Sequence, residues 1–102
     1  MIRGVMATTA ELKTAFDAAI AQTRKSLKAG MKTIAGEPAA SHLEKLQQEL
    51  TLERAKALER GEVDREWFQK TVRDLIEWAP ETELSLVAAL GRIARAAPAA
   101  PS

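Results

Sequence analysis

Apolar residues recur along this chain with the period of a helix and never with the alternation of a strand. The first stripe runs Leu12, Phe16, Ile20, Thr23, Leu27, Met31 and Ile34, spaced by fours and threes. That spacing keeps one face of a helix apolar. It passes straight through Gly30, so the pattern predicts one long helix over 9–35. A bend or a frayed turn is expected at Gly30, because glycine inside a helix costs about 1 kcal/mol relative to alanine. Thr8 and Glu11 have the spacing of a capping box at its start, and Gly36-Glu37-Pro38 supplies a stop.

Three shorter helices follow. The second is predicted over 42–60: Ser41 and Glu44 form another capping box, and Gly61 ends it. Leu43, Leu46, Leu50, Ala57 and Leu58 line one face, whereas Leu52 points nearly the opposite way. The third is predicted over 65–79, capped by Asp64, stapled by Val63 against Phe68 and stopped by Pro80. The fourth, over 82–96, begins near Pro80 or Thr82 with Glu81 and Glu83 at the positive end of its dipole. Its apolar stripe is Leu86, Val87, Leu90, Ile93, Ala94 and Ala97. The expected fold is all-α, a small bundle of about four helices, with short loops that make successive helices antiparallel. Residues 8–97 would form a single domain, 1–7 a flexible N-terminus and 98–102 a disordered tail. The first helix outruns the others, so completion of the bundle by dimerisation is an alternative architecture.

The third helix carries three of the four aromatic residues, Trp67, Phe68 and Trp78. At about 100° per residue, Trp78 returns to within about 20° of Trp67. The tryptophans, with Thr71 and Asp74 between them, make a ridge separate from the stripe Phe68, Val72, Leu75, Ile76 and Ala79. Together the two cover about half the helix circumference, more than one neighbour requires. Either the third helix is central, packed on both the first and the fourth, or the tryptophans reach a partner surface, where this residue type is concentrated. Leu52 and Leu84, off the main stripes of their helices, also suggest burial left for a partner.

Composition narrows the function. The chain has 102 residues, is 46% hydrophobic and carries no cysteine. Much of the apolar content is alanine, which leaves few bulky side chains for a core, a shortage that an oligomer would relieve. The absence of cysteine excludes disulfides, thiolate nucleophiles and cysteine-ligated metals. No apolar run approaches the roughly 20 residues of a membrane span, and the start lacks the apolar core of a signal peptide. A cytoplasmic protein with no membrane partner is expected, and the alanine and arginine usage suggests a bacterial gene.

Net charge is only +1 but unevenly placed. Residues 1–36 hold six cations against Glu11 and Asp17, and residues 37–83 hold seven cations against twelve acids. Complementary helices, within the fold or between subunits, are the simplest account. Arg24, Lys25, Lys28 and Lys32 fall on one arc of the first helix. They suit a solvated helix end, an acidic protein partner or phosphate backbone.

No catalytic, cofactor-binding or metal residues are assigned. His42, the single histidine, is expected to be exposed or capping, and Glu49 and Glu53 to lie on a solvated face with Lys45, Lys56 and Arg60. Helices three and four make a poor helix-turn-helix, because the candidate recognition segment Glu81–Ala88 is acidic and then apolar. The sequence therefore leads to a non-enzymatic helical interaction or adaptor module without a cofactor, a homo-oligomer and most simply a homodimer. Trp67, Thr71, Trp78 and Leu52 are its interface candidates, and the basic arc is a second surface. The alternative is a small nucleic-acid-binding accessory protein using that arc.

Overall fold

The computed structural model describes residues 2–80 and 84–96, with side chains described from Ala10 onward. Four helices are formed among them: α1 (Ile2–Lys28), α2 (Ala40–Arg60), α3 (Arg65–Trp78) and α4 (Leu84–Ala96). No strand occurs among the described residues. The protein is a small all-α bundle, drawn out to 48 × 26 × 20 Å by the 27-residue first helix.

The long helix has the predicted length but lies seven residues earlier. It begins at Ile2, so Thr8 is internal and does not cap. It ends at Lys28, not near residue 35. Gly30 takes the left-handed conformation at φ +71°. Its N–H donates to the Leu27 carbonyl at 3.2 Å, and the Met31 N–H donates to the Ser26 carbonyl at 3.2 Å. This pair of bonds is a Schellman motif, which satisfies carbonyls that the helix end would otherwise leave open. Met31 is still buried, through the turn and not through a further helical residue, so the apolar spacing continued where the helix did not. Ile34, the last residue of the predicted stripe, is exposed.

The segment from Met31 to Ala39 folds back on itself. The Thr33 N–H donates to the Glu37 carbonyl at 2.8 Å, and the Ala39 N–H donates to the Met31 carbonyl at 3.0 Å. This closure fixes the start of α2 at Ala40, with Ala39 in the cap position and no side-chain cap bond. Ser41 and Glu44 therefore sit inside the first turns and form no capping box. Two other expected caps are present. The Asp64 carboxylate accepts from the Trp67 N–H at 3.2 Å, and Gly61 closes α2 in the left-handed conformation. The predicted start of the fourth helix falls on residues 81–83, outside the described residues, as do Ala97 and the 98–102 tail.

The central element is α1, and not α3. It packs along both α2 and α4, whereas α3 touches α4 over a short stretch. Two neighbours explain why α1 buries more than one stripe: Ala15, Ala19 and Ser26 are buried beside Leu12, Phe16 and Thr23. Small side chains let two helices approach one backbone closely. The buried Thr23 hydroxyl donates to the Ala19 carbonyl at 2.7 Å, so its burial leaves no orphan. Leu43, Leu46, Leu50 and Ala57 face α1 from α2; Leu86, Ala89, Leu90 and Ile93 are the buried residues of α4. Ala94, in the predicted stripe, is exposed and Ala89 is buried instead, so the buried face of α4 is turned toward the Ala89 side of that stripe.

Glu53 is buried, contrary to its expected place on a solvated face. The helical period explains it: Leu46, Leu50, Glu53 and Ala57 follow one another at spacings of four, three and four. Its carboxylate lies 3.6 Å from Lys56 Nζ. Among the described residues one ion pair joins α1 and α2, Asp17 Oδ1 with Arg54 Nε at 2.8 Å, and it pairs an acid of the basic segment with a base of the acidic one.

Candidate functional site

The tryptophan ridge of α3 faces α2. The two helices run antiparallel across the Gly61 turn, and short loops of this kind set neighbouring helices side by side. His42 near the start of α2 thus meets Trp78 at the end of α3, and Glu49 two turns later meets Trp67. The imidazole of His42 stacks on the Trp78 indole with ring centroids 4.7 Å apart and planes 15° apart. The Trp67 Nε1–H donates to Glu49 Oε1 at 3.0 Å. The inner face of Trp67 stacks over Phe16 of α1 at 6.4 Å, and Phe68 meets it edge-on. Both tryptophans are half-buried.

Between these two rungs the helices stand apart and leave an open cleft of about 530 Å³. Leu46 and Leu75 form its apolar floor, and Lys45, Lys70, Asp74 and Glu77 its rims. Thr71 also lines it. That residue is only 8% exposed, and its hydroxyl makes no hydrogen bond among the described residues. No fully buried side-chain oxygen is left without a partner, so Thr71 Oγ1 opens onto the cleft. A volume of this size with an apolar floor and a few polar groups has the make-up of a binding site.

Three of the interface candidates, Trp67, Thr71 and Trp78, are brought together here. Leu52 is not a lining residue, but it follows Lys45 by seven positions. It therefore lies within about 20° of that rim residue, two turns further along α2. Its side chain is exposed. The other exposed large aliphatics are Ile34, Ile76 and Leu84. Ile76 was placed in the core stripe of α3, but that stripe has no neighbour over its whole width. Only Leu75 and Ala79 of it are fully buried, and Phe68 and Val72 are half-buried.

The contribution of α2 to this cleft is what sequence reasoning missed. His42 and Glu49 share a face with Lys45, two turns apart on α2, and each reaches one of the tryptophans, which stand three turns apart on α3. Their polarity placed them in solvent, where they partly remain. Each also supplies what an indole can use, a flat ring for one and a carboxylate acceptor for the other.

The basic arc is shorter than its sequence suggests. Arg24, Lys25 and Lys28 are exposed on the last turns of α1 and make no ion pair among the described residues. Lys32 lies beyond the helix, in the turn paired with Pro38. A second hollow, between α1 and α4, is shallow and lined by Glu11, Thr14, Arg92 and Arg95 among others. Among the described residues no cluster of acidic or histidine side chains could hold a metal ion, and no helix is long and apolar enough to cross a membrane.

No protein-family model matches this chain, and no curated protein or solved structure matches it at a significant level.

Proposed function

We propose that this protein is a non-enzymatic helical interaction module, a homodimer that uses the α2–α3 cleft as its working surface. One observation carries the reading: Trp67, Thr71 and Trp78 come together with an apolar floor in an open cleft, beside an exposed leucine. Half-buried tryptophans at the ends of a hollow are the anchors from which protein interfaces draw most of their affinity. Rim charges of both signs, Lys45 and Lys70 against Asp74 and Glu77, supply register and orientation.

The chain contains only these two tryptophans, so its intrinsic fluorescence reports directly on the cleft. Occupation of the cleft should shift the emission to shorter wavelength as molar mass rises in sedimentation. Trp78→Ala should weaken association, because it removes the outer anchor while leaving Leu75 and Ala79 in the core. If Trp67→Ala and Trp78→Ala both sediment like the parent and keep the same partners, the cleft is not the working surface.

A further inference from the structure

We infer that the solvent face of α1 binds the phosphate backbone of a duplex nucleic acid, without regard to base sequence. This surface is separate from the cleft, and the inference goes beyond the reading of the cleft. On α1 the exposed cations Lys13, Arg24 and Lys28 fall within about 60° of one another, and Lys25 lies about 60° beyond Lys28. From Lys13 to Lys28 they run about 22 Å along the helix. The neighbouring helices extend this strip. Arg54 of α2 reaches Asp17 at 2.8 Å, and Arg92 and Arg95 of α4 share the shallow hollow with Glu11 and Thr14. The two acids of α1 thus each stand beside arginine supplied by another helix. Helix α4 carries no acid among its described residues. Glu44, the acid of α2 level with Lys28, lies about 160° round its helix from Leu46, which faces α1. Lys32 stands outside the strip, in the turn that Glu37 closes.

A helix end accounts for Lys25 and Lys28, since cations are favoured in the last turn. It does not account for Lys13, nor for the arginines that α2 and α4 bring to the same side. Apart from Asp17, the side chains between these cations are Ala10, Thr14, Ala18 and Ala21, none larger than threonine. Among the described residues the exposed large aliphatics, Ile34, Leu52, Ile76 and Leu84, all lie outside α1. A lipid surface takes up large apolar side chains set beside the cations, and a protein interface is anchored by aromatic ones. The strip offers neither. Phosphate oxygens need only lysine, arginine and hydroxyl donors, which position a protein without reading bases. A single strand would call for rings on which its bases stack. Phe16, the one aromatic residue of α1, is fully buried, so the strip suits a duplex. The low net charge of the chain conceals this surface, because Glu49, Asp74 and Glu77 offset it from the cleft.

The full chain is titrated into a labelled random-sequence DNA duplex of about 20 base pairs, longer than the strip, and binding is read by fluorescence anisotropy. With about four phosphate contacts, affinity should fall about 100-fold between about 50 and 200 mM salt. Lys25→Gln combined with Lys28→Gln should weaken binding at low salt by at least about tenfold and flatten the salt dependence by about two contacts. Arg65→Gln combined with Arg73→Gln removes the same charge from exposed positions of α3 and should leave binding nearly unchanged. Asp17→Asn runs the other way. It frees Arg54 and should tighten binding several-fold, a gain that no loss of folding can imitate. Far-UV circular dichroism checks that each variant keeps its helices. No binding at low salt, equal losses from the α1 and α3 pairs, or no tightening by Asp17→Asn would each overturn the inference. Tighter binding to vesicles of equal parts phosphatidylcholine and phosphatidylserine, or to poly-glutamate, would overturn it too, and would give the strip to a lipid surface or to an acidic protein.

Discussion

Replacement of Gly30 by alanine separates two structures that differ in the sign of the effect. If the first helix ran on to residue 35, as its apolar spacing implies, Gly30 would be helical and Gly30→Ala would stabilise the fold by about 1 kcal/mol. In the structure Gly30 has φ +71°, the position after the helix in a Schellman motif. An L-residue there is strained by roughly 1–2 kcal/mol. A more restricted unfolded chain offsets about 0.4–1 kcal/mol of that. Steric clash adds nothing, because a Cβ at this position meets no atom within 4 Å. The net expectation is a loss of about 1 kcal/mol, or a fall in Tm of about 4–8 °C for a domain of this size. Urea unfolding followed by tryptophan emission measures it, with thermal unfolding by circular dichroism as a second probe. Gly30→Asn should lose less, because asparagine tolerates the left-handed region better than alanine. A Gly30→Ala variant more stable than the parent would refute the helix end assigned here.

Two further substitutions test the walls of the cleft. Asp64→Ala removes the carboxylate that accepts from the Trp67 N–H, and should cost about 1 kcal/mol in urea unfolding; no change would mean that α3 is not capped this way. Trp67→Phe keeps an aromatic ring over Phe16 but loses the indole donor to Glu49. The carboxylate is half-exposed and can be rehydrated, so the expected cost is about 1 kcal/mol. A double-mutant cycle with Glu49→Ala should show coupling between the two; strict additivity would remove that hydrogen bond from the account.

The sequence determined the helices as kinds of element. Capping at Asp64, the glycine stop at Gly61 and the three-and-four spacing of Leu43, Leu46 and Leu50 are local signals, and local energetics suffice to realise them. It also singled out Trp67, Thr71 and Trp78 as one ridge, because a ridge is a property of one helix. Tertiary structure decided whatever required two elements at once. Periodicity could not end α1 at Lys28: Met31 keeps the apolar spacing whether it is reached by helix or by turn, and the backbone bonds at Gly30 choose the turn. Nor could it start α2 at Ala40, since the closure from Met31 to Ala39 sets that position ahead of the Ser41 signal. The side-chain pattern of α1 was compatible with one neighbour, yet its alanines admit two and make it the centre. Glu53 went inward because helical position outweighs polarity when a carboxylate can still reach a lysine. The cleft itself exists only because α2 offers His42 and Glu49 to the indoles of α3. Each of those residues is unremarkable on its own helix, and the pairing is a fact of packing that no single stretch of chain contains.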